Sequence, residues 1–269
     1  MEYCRHGNMR ECMAAKTFPR NGGFLHHEVS GVMSALATLH GNKMAHRDLK
    51  LDNVLLHCPC AAGTECGCLR VNSRSVLPKL ADFGMSRQGT LMQMSSANMK
   101  GTLMYIPPER VQYDLEKHDE NFYELADIYA LGLMIWEAMY YVRHGESVSC
   151  AQAIMPGCRE GQDVLIRISS GTFVPPCEFL PEPIRRFLHK CWHVKPSRRY
   201  QNMGVVLREW EKLRKSVNLL TTGDPELQSE TSSMGGSDVA LLNRNGSLTG
   251  THVSSISVTT AGSTDTRST

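Results

Sequence analysis

His46-Arg47-Asp48-Leu49-Lys50-Leu51-Asp52-Asn53 and the later tripeptide Asp82-Phe83-Gly84 decide how this chain is read. The first run sets a carboxylate (Asp48), an ammonium (Lys50) and an amide oxygen (Asn53) along one short stretch. The second adds another carboxylate, Asp82. Phosphoryl transfer needs a group that orients the attacking hydroxyl, cations that neutralise phosphate oxygens, and ligands that hold Mg²⁺. These four side chains cover those needs, so the two runs make up half of a phosphotransfer site.

Together the runs resemble the catalytic-loop and DFG signatures of the eukaryotic protein kinases. Further landmarks follow in family order. Gly101-Thr102-Leu103-Met104-Tyr105-Ile106-Pro107-Pro108-Glu109 resembles the stretch that closes the activation segment, with Pro107 where the family usually has Ala. Asp127-Ile128-Tyr129-Ala130-Leu131-Gly132 resembles the start of the central large-lobe helix, and Cys191-Trp192 with Pro196 and Arg199 the last signature. The resemblance implies an α+β fold, a mainly α-helical kinase large lobe, over residues 1–217, with a tail at 218–269. It also implies ATP and Mg²⁺ as cofactors and proteins as substrates. Lys50 and Thr102 resemble the serine/threonine kinases rather than the tyrosine kinases.

No G-x-G-x-x-G run and nothing like V-A-I-K precedes the catalytic loop. The opening Met1-Glu2-Tyr3-Cys4-Arg5-His6-Gly7-Asn8-Met9 resembles the kinase hinge, with Met1 at the gatekeeper position and Gly7 closing the turn. The expectation is a chain without the small lobe, as a fragment or incomplete reading frame, with a natural truncated product as the alternative. The lysine–glutamate ion pair of the small lobe and the DFG–metal contact are both required for activity. Two functions therefore stand beside each other. One is a protein serine/threonine kinase as the parent protein; the other is an inactive truncated kinase that acts as a binding protein. Met44-Ala45-His46-Arg47-Asp48 and the stretch from Ala126 to Leu133 look most like the tyrosine-kinase-like group, which includes receptor serine/threonine kinases. On that reading the chain is cytoplasmic, either free or as the intracellular part of a membrane receptor.

Composition agrees with an ordinary globular domain plus an extension. A formal net charge of +2 with interspersed signs offers no basic stripe, which argues against nucleic acid as a partner. No signal peptide is visible at Met1. The most membrane-like stretch, 125–142, contains Asp127 and Glu137. Charges near a bilayer centre are expensive, so a buried helix is expected there and no membrane span.

Leu25, Val29, Val32, Met33 and Leu36 recur at helical spacing and lead into the catalytic loop. Gly41-Asn42 should end that helix, being residue types that tolerate left-handed backbone. Short strands are expected at 54–56 and 77–81, and the central helix at 124–141. Two more helical faces appear in Ile184, Phe187, Leu188, Cys191 and Trp192, and in Met203, Val206, Leu207, Trp210 and Leu213. Residues 85–104 are polar, rich in methionine and aperiodic, as expected of an activation loop. From 221 onward serine, threonine and glycine dominate and no aromatic residue occurs. Such a segment buries too little apolar surface to offset its ordering entropy and is expected to be disordered. It reads as a solvated tail or a phosphorylatable one.

The kinase resemblance implies a role for each candidate residue. Asp48 is the base that orients the substrate hydroxyl, with Lys50 and Thr102 beside it. Asn53 and Asp82 hold Mg²⁺, a hard cation that wants oxygen ligands. Leu55 forms the floor under adenine, and the backbone of Glu2 and Cys4 meets its edge. Arg47 pairs with a phosphorylated activation loop, for which Ser86, Thr90, Ser95 and Ser96 are the candidates. Glu109 and Arg199 form a buried ion pair, and Asp127 anchors the catalytic-loop backbone.

Ten cysteines suggest disulfides, but the kinase resemblance points to the reducing cytosol, where thiols persist. Cys4, Cys12 and Cys191 read as small buried hydrophobes. Cys58, Cys60, Cys66 and Cys68 fall in an unusually long connection between the two strands. Four thiolates suit tetrahedral Zn²⁺, as in a zinc-dependent interaction module. Yet C-x-C is tighter than the usual zinc spacing and no histidine completes a familiar pattern, so the expected state is an exposed insertion loop.

Overall fold

The computed structural model describes residues 3–60, 66–72, 74–82, 103–112, 122–154, 156 and 161–221. In chain order the helices are α1 (Met9–Ala14), α2 (Gly22–Gly41), α3 (Pro108–Gln112), α4 (Phe122–His144), α5 (Cys150–Ile154), α6 (Gly161–Ser169), α7 (Glu182–Cys191), α8 (Met203–Lys212) and α9 (Arg214–Asn218). Strands β1 (Val54–His57) and β2 (Leu77–Leu80) lie between α2 and α3. Among the described residues the fold is thus mostly helical with one two-stranded sheet, as an α+β class requires.

The stretch around Leu131 is apolar on every side, and a helix of that kind belongs in a core. As α4 it is buried from Ala126 to Met139 without a break. It runs a little longer at both ends than its apolar pattern suggests. Gly132 lets it approach α7: a Cβ there would stand 2.7 Å from the Cβ of Cys191. Among the described residues α4 is the one helix long and apolar enough to cross a membrane, and 94% of its apolar window is buried inside the protein.

α2 presents Leu25, Val29, Val32, Met33 and Leu36 to the interior, all at most 2% exposed. It packs against α4, α8, α9 and β2 and so ties the start of the chain to its end. Asn21 starts it, its side-chain oxygen accepting from the N–H of Phe24 at 2.8 Å. The helix ends at Gly41 as expected, but Gly41 and Asn42 do not supply the left-handed residue. Asn42 has φ −95 and ψ 17, and the positive φ of 58 falls on Lys43. Asn42 instead caps the helix with its amide, donating from Nδ2 to the carbonyl of Thr38 at 2.7 Å.

The sheet is antiparallel, with Val54 opposite Leu80 and His57 opposite Leu77. Of the aperiodic stretch, Leu103 and Met104 join Tyr105 in a buried 3₁₀ turn; residues 85–102 lie outside the described residues. So does the tail from residue 222 onward.

Candidate active site

The loop between α2 and β1 carries Asp48, Lys50 and Asn53, and Asp127 at the start of α4 shapes it. Asp127 Oδ2 accepts from the backbone N–H of His46 at 2.7 Å, and Oδ1 from that of Arg47 at 2.8 Å. Its Oδ2 also meets His40 Nε2 at 3.0 Å. Arg47 has a φ of 69, a strained conformation for a residue with a side chain. Two bonds to a buried carboxylate hold the backbone in that state. Asp127 therefore anchors the loop, as its position suggests.

His46 is fully buried beneath the loop. Its Nε2 meets the carbonyl of Ala81 at 3.0 Å and its Nδ1 the N–H of Asp48 at 3.4 Å. Those partners assign the ring proton to Nε2. The Ala81 N–H donates to the Asn53 carbonyl at 2.9 Å, continuing the ladder beyond Val54–Leu80. The residue after Ala81 is Asp82, exposed and with a φ of 63. Asp82 therefore follows directly on the backbone partner of Asn53.

Lys50 Nζ donates to Asp48 Oδ2 at 2.8 Å. Asn53 Nδ2 donates to the Asp48 carbonyl at 2.7 Å and to Asp48 Oδ2 at 3.0 Å. An ammonium and an amide thus converge on one carboxylate oxygen. Asp48 opens on a small cleft lined by Leu49, Tyr105, Ile106, Pro107 and Ala130. Asn53 and Asp82 offer hard oxygen ligands, a donor set that fits Mg²⁺.

Leu55 is half-buried on β1 and bridged to Asn8. The chain before Asn8 turns tightly: the Gly7 N–H donates to the Cys4 carbonyl at 3.2 Å, and Gly7 has a φ of 72. Cys4 is half-buried rather than fully buried, unlike Cys12 and Cys191. Glu2, Phe83, Ser86, Thr90, Ser95, Ser96 and Thr102 lie outside the described residues. Arg47 places its guanidinium 3.7 Å from the centre of the Tyr123 ring, and its buried Nε has no hydrogen-bond partner.

Glu109 and Arg199 form the expected buried pair, with both guanidinium Nη atoms 2.6 Å from carboxylate oxygens. A second, partly buried network was not anticipated. Arg10 donates to Asp52 Oδ2 at 2.7 Å, to Glu137 Oε2 at 2.7 Å and to the Tyr105 hydroxyl at 2.9 Å. Burial pushes the Tyr105 phenol up, and it donates to Glu137 Oε2. The network joins α1, the catalytic loop, the 3₁₀ turn and α4. One signal for it existed: Glu137 inside an apolar run is a buried charge, and a buried charge needs a partner.

The cysteine segment is exposed in part, at Pro59, Cys60, Gly67 and Arg70, and packed in part. Cys58 is only 3% exposed, Cys66 and Cys68 are half-buried, and the four sulfurs lie within 4.8 Å of one another. The Cys68 N–H holds the Cys66 thiol down at about 6, while hydrogen bonds from Cys68 and Cys66 push Cys60 up to about 12.

The model of the protein kinase domain matches residues 1–210 of this sequence. The chain belongs to the protein kinase family. It is 27% identical over 212 residues to a probable serine/threonine-protein kinase of Dictyostelium discoideum, covering 77% of this chain and 11% of that protein. It is 30% identical to the protein kinase and PP2C-like domain-containing protein of Arabidopsis thaliana, covering 67% of this chain and 28% of that one. It is 28% identical to mitogen-activated protein kinase kinase kinase 20 of Arabidopsis thaliana, over 74% and 51% respectively. This kinase chain thus spans between about a tenth and a half of the length of these relatives.

Proposed function

We propose that this chain forms the large-lobe half of a protein serine/threonine kinase that moves the γ-phosphate of ATP to Ser or Thr hydroxyls of protein substrates. The observation that carries the reading is the convergence of Lys50 Nζ and Asn53 Nδ2 on Asp48 Oδ2. In this scheme Asp48 orients the substrate hydroxyl and accepts its proton. Lys50, now on Asp48, moves to the phosphate as its charge spreads over the equatorial oxygens. Asn53, with Nδ2 committed to Asp48, presents Oδ1 together with the Asp82 carboxylate to Mg²⁺, which when bound neutralises phosphate charge.

Lys50 and Thr102 support the serine/threonine class, and Leu55, Glu2 and Cys4 are assigned to adenine. Arg47, stacked on Tyr123, is assigned to a phosphate on Ser86, Thr90, Ser95 or Ser96. Residues 1–217 make up the kinase part, 218–269 a tail, and the chain works in the cytoplasm, within the tyrosine-kinase-like group. The phosphate-covering loop and the lysine–glutamate pair have no counterpart in the 269 residues of this sequence. In this reading catalysis also draws on a small lobe that supplies both.

The test compares the full chain with the same chain fused to the small lobe of mitogen-activated protein kinase kinase kinase 20 of Arabidopsis thaliana, each with ATP, Mg²⁺ and a generic protein substrate. The expected result is phosphoserine and phosphothreonine from the fusion only, lost in Asp48→Asn. Phosphotyrosine as the main product, or transfer that survives Asp48→Asn, overturns the assignment.

A further inference from the structure

Four cysteines outside the proposed catalytic constellation meet at one point. Cys58 and Cys60 leave the end of β1, and Cys66 and Cys68 stand on the return toward β2. Sulfur separations are 3.3 Å for Cys58–Cys66, 3.3 Å for Cys60–Cys68 and 3.5 Å for Cys60–Cys66, and all four sulfurs fall within 4.8 Å. Tetrahedral Zn²⁺ with Zn–S bonds of about 2.3 Å sets its sulfurs about 3.8 Å apart. These three separations fall short of that value by about 0.3–0.5 Å, no pair exceeds 4.8 Å, and all lie well beyond a disulfide bond of about 2.05 Å. A four-iron cluster binds each thiolate to a different iron atom and needs them spread more widely.

We infer that Cys58, Cys60, Cys66 and Cys68 are the four thiolate ligands of a structural Zn²⁺ that closes the β1–β2 connection. The surroundings are those of a thiolate site. Outside the ligands, His6 Nε2 stands 3.6 Å from Cys66 Sγ and Ser75 Oγ donates to Cys68 Sγ at 3.9 Å. Donors of this kind orient ligands and balance their negative charge. C-x-C spacing is no obstacle here, because each pair supplies two corners of the tetrahedron and the hairpin brings the pairs together.

Four protein ligands leave no open position, so the role is structural rather than catalytic. The metal stands against the turn before α1: the His6 N–H donates to the Leu56 carbonyl at 3.3 Å, and the Leu56 N–H to the Gly7 carbonyl at 2.9 Å. Metal binding thus fixes the outer end of the strand that carries Leu55. Because such a site does not exist in the unfolded chain, its binding energy adds to folding.

The full chain, without a histidine tag and purified under reducing conditions, tests this by metal content and by cobalt exchange. We expect one zinc per chain through gel filtration, and intense visible and sulfur-to-metal bands when Co²⁺ replaces it. Cys60→Ser, at an exposed ligand, should weaken zinc at least about tenfold and change the cobalt spectrum. Should that variant aggregate, the wild-type cobalt spectrum decides alone. Metal-free protein with four reactive thiols after incubation with stoichiometric zinc overturns the inference. So do two disulfides found by mass, or the pale spectrum of cobalt bound to oxygen and nitrogen.

Discussion

Arg199 grips Glu109 through two parallel hydrogen bonds of 2.6 Å, with the guanidinium side chain fully buried and the carboxylate 5% exposed. The same guanidinium donates to the carbonyls of His193 at 2.8 Å and Leu125 at 3.0 Å. One side chain therefore satisfies α3, the start of α4 and the loop after α7 together.

Removing one partner should be far worse than removing both, because it strands a buried charge. Arg199→Ala is expected to cost about 3–5 kcal/mol by denaturant unfolding, more than a Glu109→Gln change. The check is a double-mutant cycle with Arg199→Met and Glu109→Leu, whose combined cost should fall well below the sum of the singles.

Asp127 sets the catalytic loop, so Asp127→Asn should loosen it without emptying the core. An amide keeps one acceptor where two backbone N–H groups and His40 now converge. The expected loss is on the order of 2–3 kcal/mol. Hydrogen exchange should speed up first at the amides of His46 and Arg47. Unchanged exchange there would remove Asp127 from its anchoring role.

Glu28 on α2 is wholly buried with Oε2 unpartnered, and burial pushes its carboxyl from near 4.5 up to about 8. His27 Nδ1 stands 3.1 Å from its other oxygen. The folded pKa is raised, so the folded state holds a proton that the unfolded chain releases. Stability contributed by that proton is fully present below about 4.5 and is lost as pH rises through about 8. Glu28→Gln should match the wild type near the lower value and exceed it above the upper one by on the order of 5 kcal/mol. Thermal melts across this range test it, and a variant curve parallel to the wild type would contradict it.

Gly132→Ala should destabilise by about 1–3 kcal/mol through overpacking, since its Cβ would meet the Cys191 Cβ at 2.7 Å. Adding Cys191→Gly removes that Cβ and should recover part of the loss; no recovery would place the clash elsewhere.

Much of this protein is written along the chain. The apolar spacing of α2, α7 and α8 marks their buried faces, because helical period alone decides which side chains face inward. The unbroken apolar run of α4 announces its burial, and the motifs name Asp48, Lys50, Asn53, Asp82, Glu109 and Arg199 as a set. What the sequence leaves open is decided by residues far apart along it. Arg10 reaches Asp52, Tyr105 and Glu137, and no local period records such a meeting. The left-handed backbone of Arg47 exists because Asp127, on another helix, holds it there. Spacing alone makes the cysteines an exposed loop, yet the folded connection between β1 and β2 brings the two pairs to one point. Periodicity reports burial one element at a time; polar partners and metal-sized clusters arise only when packed elements bring distant side chains within hydrogen-bond range.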